Sequence, residues 1–171
     1  MDNFYEHHVL HSLAIATEFE FKPGMEIMDL GSGGGFPGIP LAIFFPGAHF
    51  HLVDSINKKL KVVTDIAGAV DLKNITIQHI RAEEINNRKF DAVISRAVAP
   101  LKDLWCWSKP LLQKSRLHND NMDIPNGLIC LKGGDLTREL FESGCKPLIW
   151  EIEKIFEGEF FKEKYLLYVP Y

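Results

Sequence analysis

An α/β fold is the architecture this sequence predicts: a mostly parallel, Rossmann-like sheet of about seven strands with helices on both faces. Three observations carry it. Short apolar segments bounded by turn residues alternate with longer helical patterns through most of the chain, the order that yields parallel strands joined by right-handed crossovers. The first apolar segment, Met25-Glu26-Ile27-Met28-Asp29-Leu30, runs directly into Gly31-Ser32-Gly33-Gly34-Gly35-Phe36-Pro37-Gly38 and then a helical pattern. The second, His49-Phe50-His51-Leu52-Val53, ends in Asp54 and closes a βαβ unit around that glycine turn.

A chain of 171 residues is expected to form one domain over residues 1–171, with a leading helix over 1–20 and the α/β core over 25–171. Its 46% hydrophobic and 25% charged residues match an ordinary globular protein and exclude a fibrous or disordered one. No apolar run approaches the roughly 20 residues that span a bilayer. The first residues lack a basic region followed by an apolar stretch, so secretion is not indicated and a cytoplasmic location is expected. Cys106, Cys130 and Cys145 are odd in number and widely spaced. They fit reduced thiols better than a disulfide or zinc framework. A net charge of −4 argues against a general nucleic-acid coat protein, so any nucleic-acid role needs a local basic patch.

Taken in order, residues 4–19 place Val9, Leu10, Leu13, Ile15 and Ala16 at roughly helical spacing. His7 and His11, four apart, share a helical face, but no carboxylate completes an H-E-x-x-H pattern, and no metal is expected. Pro23-Gly24 ends this helix. Beyond the glycine turn, residues 39–45 read as a helix with Pro40 near its first turn, where a missing N–H costs little. Residues 58–70 form the next helix, with Leu60, Val62, Val63, Ile66, Ala67 and Val70 inward. Residues 74–80 alternate as a third strand and deliver Arg81-Ala82-Glu83-Glu84. Residues 90–95 are a fourth strand, followed by Arg96. Residues 101–112 read as a helix whose Trp105 and Trp107 face different ways, so at most one is deep core. Residues 114–126 are polar and aperiodic, a surface loop. Residues 127–131 are a fifth strand ending in Lys132-Gly133-Gly134, residues 136–141 a helix closed by Gly144, and residues 149–156 and 164–169 a final, hairpin-like pair of strands.

Site candidates follow from this order. The spacing Gly31-x-Gly33-x-Gly35 fails the dinucleotide pattern G-x-G-x-x-G, whose last glycine would fall on Phe36. With Asp29 two residues ahead, Asp-x-Gly-x-Gly-x-Gly resembles the first motif of S-adenosylmethionine-dependent methyltransferases. A strand running through glycines into a helix N-terminus lets backbone approach a ligand. Asp54 ends the second strand, where such units offer a carboxylate to ribose hydroxyls. It also suits capping the following helix together with Ser55; the ribose role is preferred. Ala82 and Glu83, past the third strand, are candidates for meeting an adenine edge. Arg96 belongs to the same rim, because ligands of open α/β sheets collect outside the carboxyl ends of strands; its plainer role is a salt bridge. Lys132 either contacts a substrate phosphate or makes a turn. No acid/base pair stands out, so no catalytic residue is named, and Arg96 and Lys132 are the positioning candidates.

The chain resembles the RsmG (GidB) family, bacterial methyltransferases acting on N7 of a guanine in the 530 loop of 16S ribosomal RNA. The resemblance spans nearly the whole chain. It rests on His8-Val9-Leu10-His11-Ser12-Leu13, the run from Asp29 through Ala42, Leu52-Val53-Asp54-Ser55, Arg81-Ala82-Glu83-Glu84, Phe90-Asp91-Ala92-Val93-Ile94-Ser95-Arg96-Ala97 and Leu131-Lys132-Gly133. Gly35-Phe36-Pro37-Gly38-Ile39-Pro40 and Ser95-Arg96-Ala97 are the most specific of these. The resemblance implies a class I methyltransferase fold, S-adenosyl-L-methionine as cofactor, and cofactor contacts at Gly31, Phe36, Ala82, Glu83 and Arg96. It implies 16S rRNA or the small ribosomal subunit as partner, with no membrane, and a monomer is expected. The helical segment that usually precedes the equivalent of Phe4 in the family is missing from this sequence. The alternatives are a small-molecule methyltransferase on the same fold, a NAD-dependent oxidoreductase, and a non-catalytic cofactor-binding module.

Overall fold

The computed structural model describes residues 2–86, 88–96, 98–114 and 126–171. Seven strands form one sheet in the order β3-β2-β1-β4-β5-β7-β6. They are β1 (Glu26–Leu30), β2 (His49–Asp54), β3 (Ile75–His79), β4 (Ala92–Arg96), β5 (Gly127–Gly133), β6 (Leu148–Glu151) and β7 (Lys164–Pro170). β1 to β5 run parallel to one another, and β7 lies antiparallel between β5 and β6. The strand order reverses between β1 and β4, which opens a crevice at their carboxyl ends.

Residues of the inner strands are covered on both faces, which is why they read as continuous apolar runs. Ile27, Phe50, Leu52, Ile94, Ile129 and Leu131 are buried in one core, shared with Ala14, Ile15 and Phe19 of the leading segment and Leu41 of the helix Gly38–Phe44. Met28, Val53, Val93, Leu128 and Cys130 belong to a second core on the opposite face, with Leu101 and Leu104 of the helix Leu101–Ser108. Helices thus cover both faces, as the alternating pattern requires. At the edge, β3 is only half-buried at alternate residues.

Several boundaries differ from the sequence expectation for identifiable reasons. The leading helix is not uniform: α-helical Asp2–Phe4 passes into π-helical Tyr5–Leu10 and then α-helical turns His11–Leu13 and Ile15–Glu18. The helix Asn57–Ala69 buries Leu60, Val63 and Ala67, whereas Val62 and Val70 are half exposed. Val62 lies a residue off the inward stripe, and Val70 is past the last helical turn. The helix from Leu101 gives way to a 3₁₀ turn at Lys109–Leu111, because Pro110 has no N–H to continue the ladder. The segment 149–156 is strand only to Glu151; Ile152–Lys154 is a 3₁₀ turn that tucks Ile152 into the core. The helix Thr137–Ser143 ends at Gly144, whose φ of +64° makes the left-handed stop expected of it. Of the expected surface loop, residues 115–125 lie outside the described residues, as does Ala97.

Candidate functional site

At the carboxyl ends of β1, β2 and β4 the glycine turn, the start of the helix Asn57–Ala69 and the turn after β3 enclose a cavity of about 530 Å³, within the size range of small-ligand sites. The turn is folded back on β2: the amides of Gly31 and Ser32 both donate to the Val53 carbonyl, at 2.9 and 3.0 Å. Two glycines are there for different reasons. At Gly31 (φ +70°) a Cβ would meet Val98 Cγ2 at 2.6 Å. At Gly33 (φ +56°) it would meet open space, with the nearest atom 4.0 Å away. A side chain at position 33 is therefore opposed by backbone strain and by the room it would take from anything approaching the turn.

Two carboxylates hold this turn. Asp54 accepts the Gly33 amide on Oδ2 at 2.9 Å and the Ile56 amide on Oδ1 at 2.8 Å. It ties turn to strand end, while the N-cap position of the next helix falls to Ile56, with no side-chain cap bond. Asp29 is wholly buried and accepts the Gly38 amide on Oδ2 at 2.8 Å. Its Oδ1 has no partner among the described residues. Burial pushes its pKa up to about 7; the Gly38 hydrogen bond and the Arg96 charge oppose that rise, and Asp54 adds to it. Ser32, which lines the cavity, also has a buried hydroxyl without a partner among the described residues. An open glycine and an unused hydroxyl on the cavity wall fit a polar ligand.

The other candidates arrive from neighbouring strands. Ala82 is buried in the 3₁₀ turn Ala82–Glu84 after β3, and Glu83 beside it is exposed. Arg96 ends β4, donates through Nη1 to the His7 carbonyl at 3.2 Å and lies over the Phe36 ring at 5.1 Å from its centroid. Burial lowers its pKa and the Asp29 charge raises it. Gly31, Gly33, Phe36, Asp54, Ala82, Glu83 and Arg96 all line this one cavity. Lys132 does not. It is a buried member of β5, its ammonium held by the Ala99 carbonyl and by Glu139 Oε1 at 2.6 Å. Glu139 Oε1 also accepts the Leu101 amide at 2.7 Å. Lys132 thus braces the segment leading into the helix Leu101–Ser108.

Lys59 and Arg81, expected among the basic residues near the rim, also line the cavity, whereas Ile56, Val98 and Trp107, which line it too, had not been expected there. Trp107 had a signal: it stands three residues after buried Leu104, on the inward side of its helix. Among the described residues no cluster of three or more His, Cys, Asp or Glu side chains could hold a metal ion, and no helix is long and apolar enough to cross a membrane.

Residues 1–118 match the family model for rRNA small subunit methyltransferase G (GidB). A ribosomal RNA small subunit methyltransferase G of Phocaeicola vulgatus is 54% identical over 98% of this chain and 78% of its own length. That of Cytophaga hutchinsonii is 45% identical over 99% of this chain and 80% of its own. Among solved structures, a SAM-dependent methyltransferase from Aquifex aeolicus superposes with a TM-score of 0.68 at 15% identity, covering 99% of this chain and 93% of that one. A ribosomal protein L11 methylase from Lactobacillus delbrueckii subsp. bulgaricus gives 0.67 at 16% identity, over 95% and 77%. At such identities the structures speak for the fold alone.

Proposed function

This chain belongs to the rRNA small subunit methyltransferase G family, and from that premise we propose that it transfers a methyl group from S-adenosyl-L-methionine to N7 of a guanine in the 530 loop of 16S rRNA. The observation that carries the site assignment is the single cavity in which the glycine turn, Asp54, Ala82-Glu83 and Arg96 meet. In this reading Asp54 holds ribose hydroxyls, Ala82 and Glu83 meet an adenine edge, and Phe36 forms an apolar wall. The backbone at Gly31 and Gly33 gives the cofactor close approach, and Arg96 positions cofactor or substrate. When bound, the cofactor supplies an electrophilic methyl group on a sulfonium.

The acceptor asks little acid–base chemistry of the protein. Guanine N7 has an available lone pair and no proton, so no general base is required of the chain. Its residues are left to bind, orient and exclude water. Phe36 at the place of a third glycine speaks against a nicotinamide cofactor. Lys59, Arg81 and Arg96 share the cavity lining, which favours a phosphate-bearing substrate over an apolar small molecule despite the net charge of −4. The same reading makes the protein a cytoplasmic monomer that meets its RNA in the small ribosomal subunit or as free 16S rRNA.

The test is incubation with unmethylated small-subunit RNA and methyl-labelled S-adenosylmethionine, followed by nucleoside analysis. Label in N7-methylguanosine is expected. No label, under conditions where one of the curated relatives transfers it, would overturn the assignment.

A further inference from the structure

The leading segment carries a set of aromatic rings that cofactor binding leaves unused. Tyr5–Leu10 is π-helical, between α-helical stretches. Such turns are rare, and each adds a residue that re-aims the side chains around it. Here Phe4, His8 and Phe36 converge, with ring centroids 5.3 to 5.7 Å apart. The cluster is joined to the cavity twice. Phe36 lines the cavity, and so does Arg96, which lies over Phe36 and holds the His7 carbonyl. Phe4 is 55% exposed, so one ring of the cluster faces solvent. His8 Nδ1 is buried without a partner among the described residues. Burial, then Arg96 and His7, hold the His8 pKa below its usual value.

We propose that the Phe4–His8–Phe36 cluster is the platform on which an unpaired purine of the RNA substrate stacks, with Phe4 as its exposed ring. The proposal rests on reading the chain as an RNA methyltransferase. A base must leave its own stack to bring a ring nitrogen to an enclosed site, and aromatic faces at the mouth replace the stacking it loses. The Phe4 and Phe36 rings carry no charge, so they do not themselves repel a purine that becomes cationic on methylation. Phosphates on either side have Lys59 and Arg81 at the same cavity. A protein partner would need a broad apolar surface, whereas this cluster is the size of one or two bases and continuous with the methyl-transfer site.

The test uses a short single-stranded RNA carrying one 2-aminopurine, titrated with S-adenosylhomocysteine present onto the wild-type chain, Phe4→Ala and Phe4→Tyr. Fluorescence quenching is expected with wild type. Phe4→Ala should raise the dissociation constant on the order of tenfold, Phe4→Tyr should restore it, and S-adenosylhomocysteine affinity should stay within about threefold throughout. Absence of quenching in wild type, equal RNA binding by Phe4→Ala, or a parallel loss of S-adenosylhomocysteine affinity would each overturn the platform. Methyl transfer is scored separately. Phe4-dependent quenching without transfer would sink the methyltransferase reading and keep the platform; transfer without Phe4 dependence would do the reverse.

Discussion

Arg96 and Lys132 stand at the ends of neighbouring parallel strands, yet they do different things. Arg96 pairs in register with Leu131, so Lys132 is one residue further along. Side chains alternate across a strand, and that single step sends the two cations to opposite faces of the sheet. Arg96 emerges toward the leading segment, where it meets His7 and Phe36. Lys132 emerges under the helix Leu101–Ser108, where Glu139 and the Ala99 carbonyl hold it. The difference teaches that a basic residue at a strand end is not yet a site residue. Its register decides whether it reaches the ligand crevice or braces a loop.

The comparison can be broken most forcefully at Lys132. Lys132→Met leaves Glu139 without its cation, and removing one partner of a buried pair costs about 3 kcal/mol, to be read from urea midpoints. Cofactor affinity of the folded protein should be nearly unchanged. A variant of normal stability that had lost RNA or cofactor affinity would return Lys132 to the site. On the other side of the divide, Gly33→Val should raise the dissociation constant for S-adenosylhomocysteine by roughly 100-fold, or about 2.7 kcal/mol, because its side chain enters the open space of the turn at φ +56°. Wild-type affinity would mean that the turn does not cradle the ligand. Asp54→Ala removes the acceptor of the Gly33 and Ile56 amides and should weaken cofactor binding by about 1–3 kcal/mol in calorimetry. Unchanged affinity would leave Asp54 only its loop-tying bonds.

An effect confined to acidic pH tests the Arg96 side. His11 is buried near Arg96 and Lys164, and burial, followed by those charges, lowers its pKa from 6.5 to about 4. A depressed histidine stabilises the fold above its unfolded pKa, and that contribution is lost as pH falls from about 6.5 towards 4. Wild type should therefore lose stability relative to His11→Gln across that window. A pH-independent difference between the two would place the His11 ring outside that buried, positive surrounding.

The order of elements was legible because each signal was local. The glycine turn, the apolar runs of β1, β2, β4 and β5, and Gly144 each announce themselves within a few residues. The glycine-turn side of the cavity was legible for the same reason: Gly31, Gly33, Phe36 and Asp54 belong to one βαβ unit. Lys132 was harder to place, since its role depends on the register of β5 against β4, which no local pattern displays. Trp107, Val98 and Ile56 come from elements whose contribution to the cavity is set by how segments pack across the crevice. The π-helical turn at Tyr5–Leu10 has no sequence signature of its own, and with it the grouping of Phe4, His8 and Phe36 was hidden.

The central claim is that the crevice between β1, β2 and β4 holds S-adenosylmethionine, while the end of β5 is structural. A crystal structure with S-adenosylhomocysteine tests it most directly. The account predicts ribose oxygens on Asp54, the adenine beside Ala82 and Glu83, and Lys132 still bonded to Glu139. A ligand bound elsewhere, or Lys132 turned into contact with it, would contradict the account.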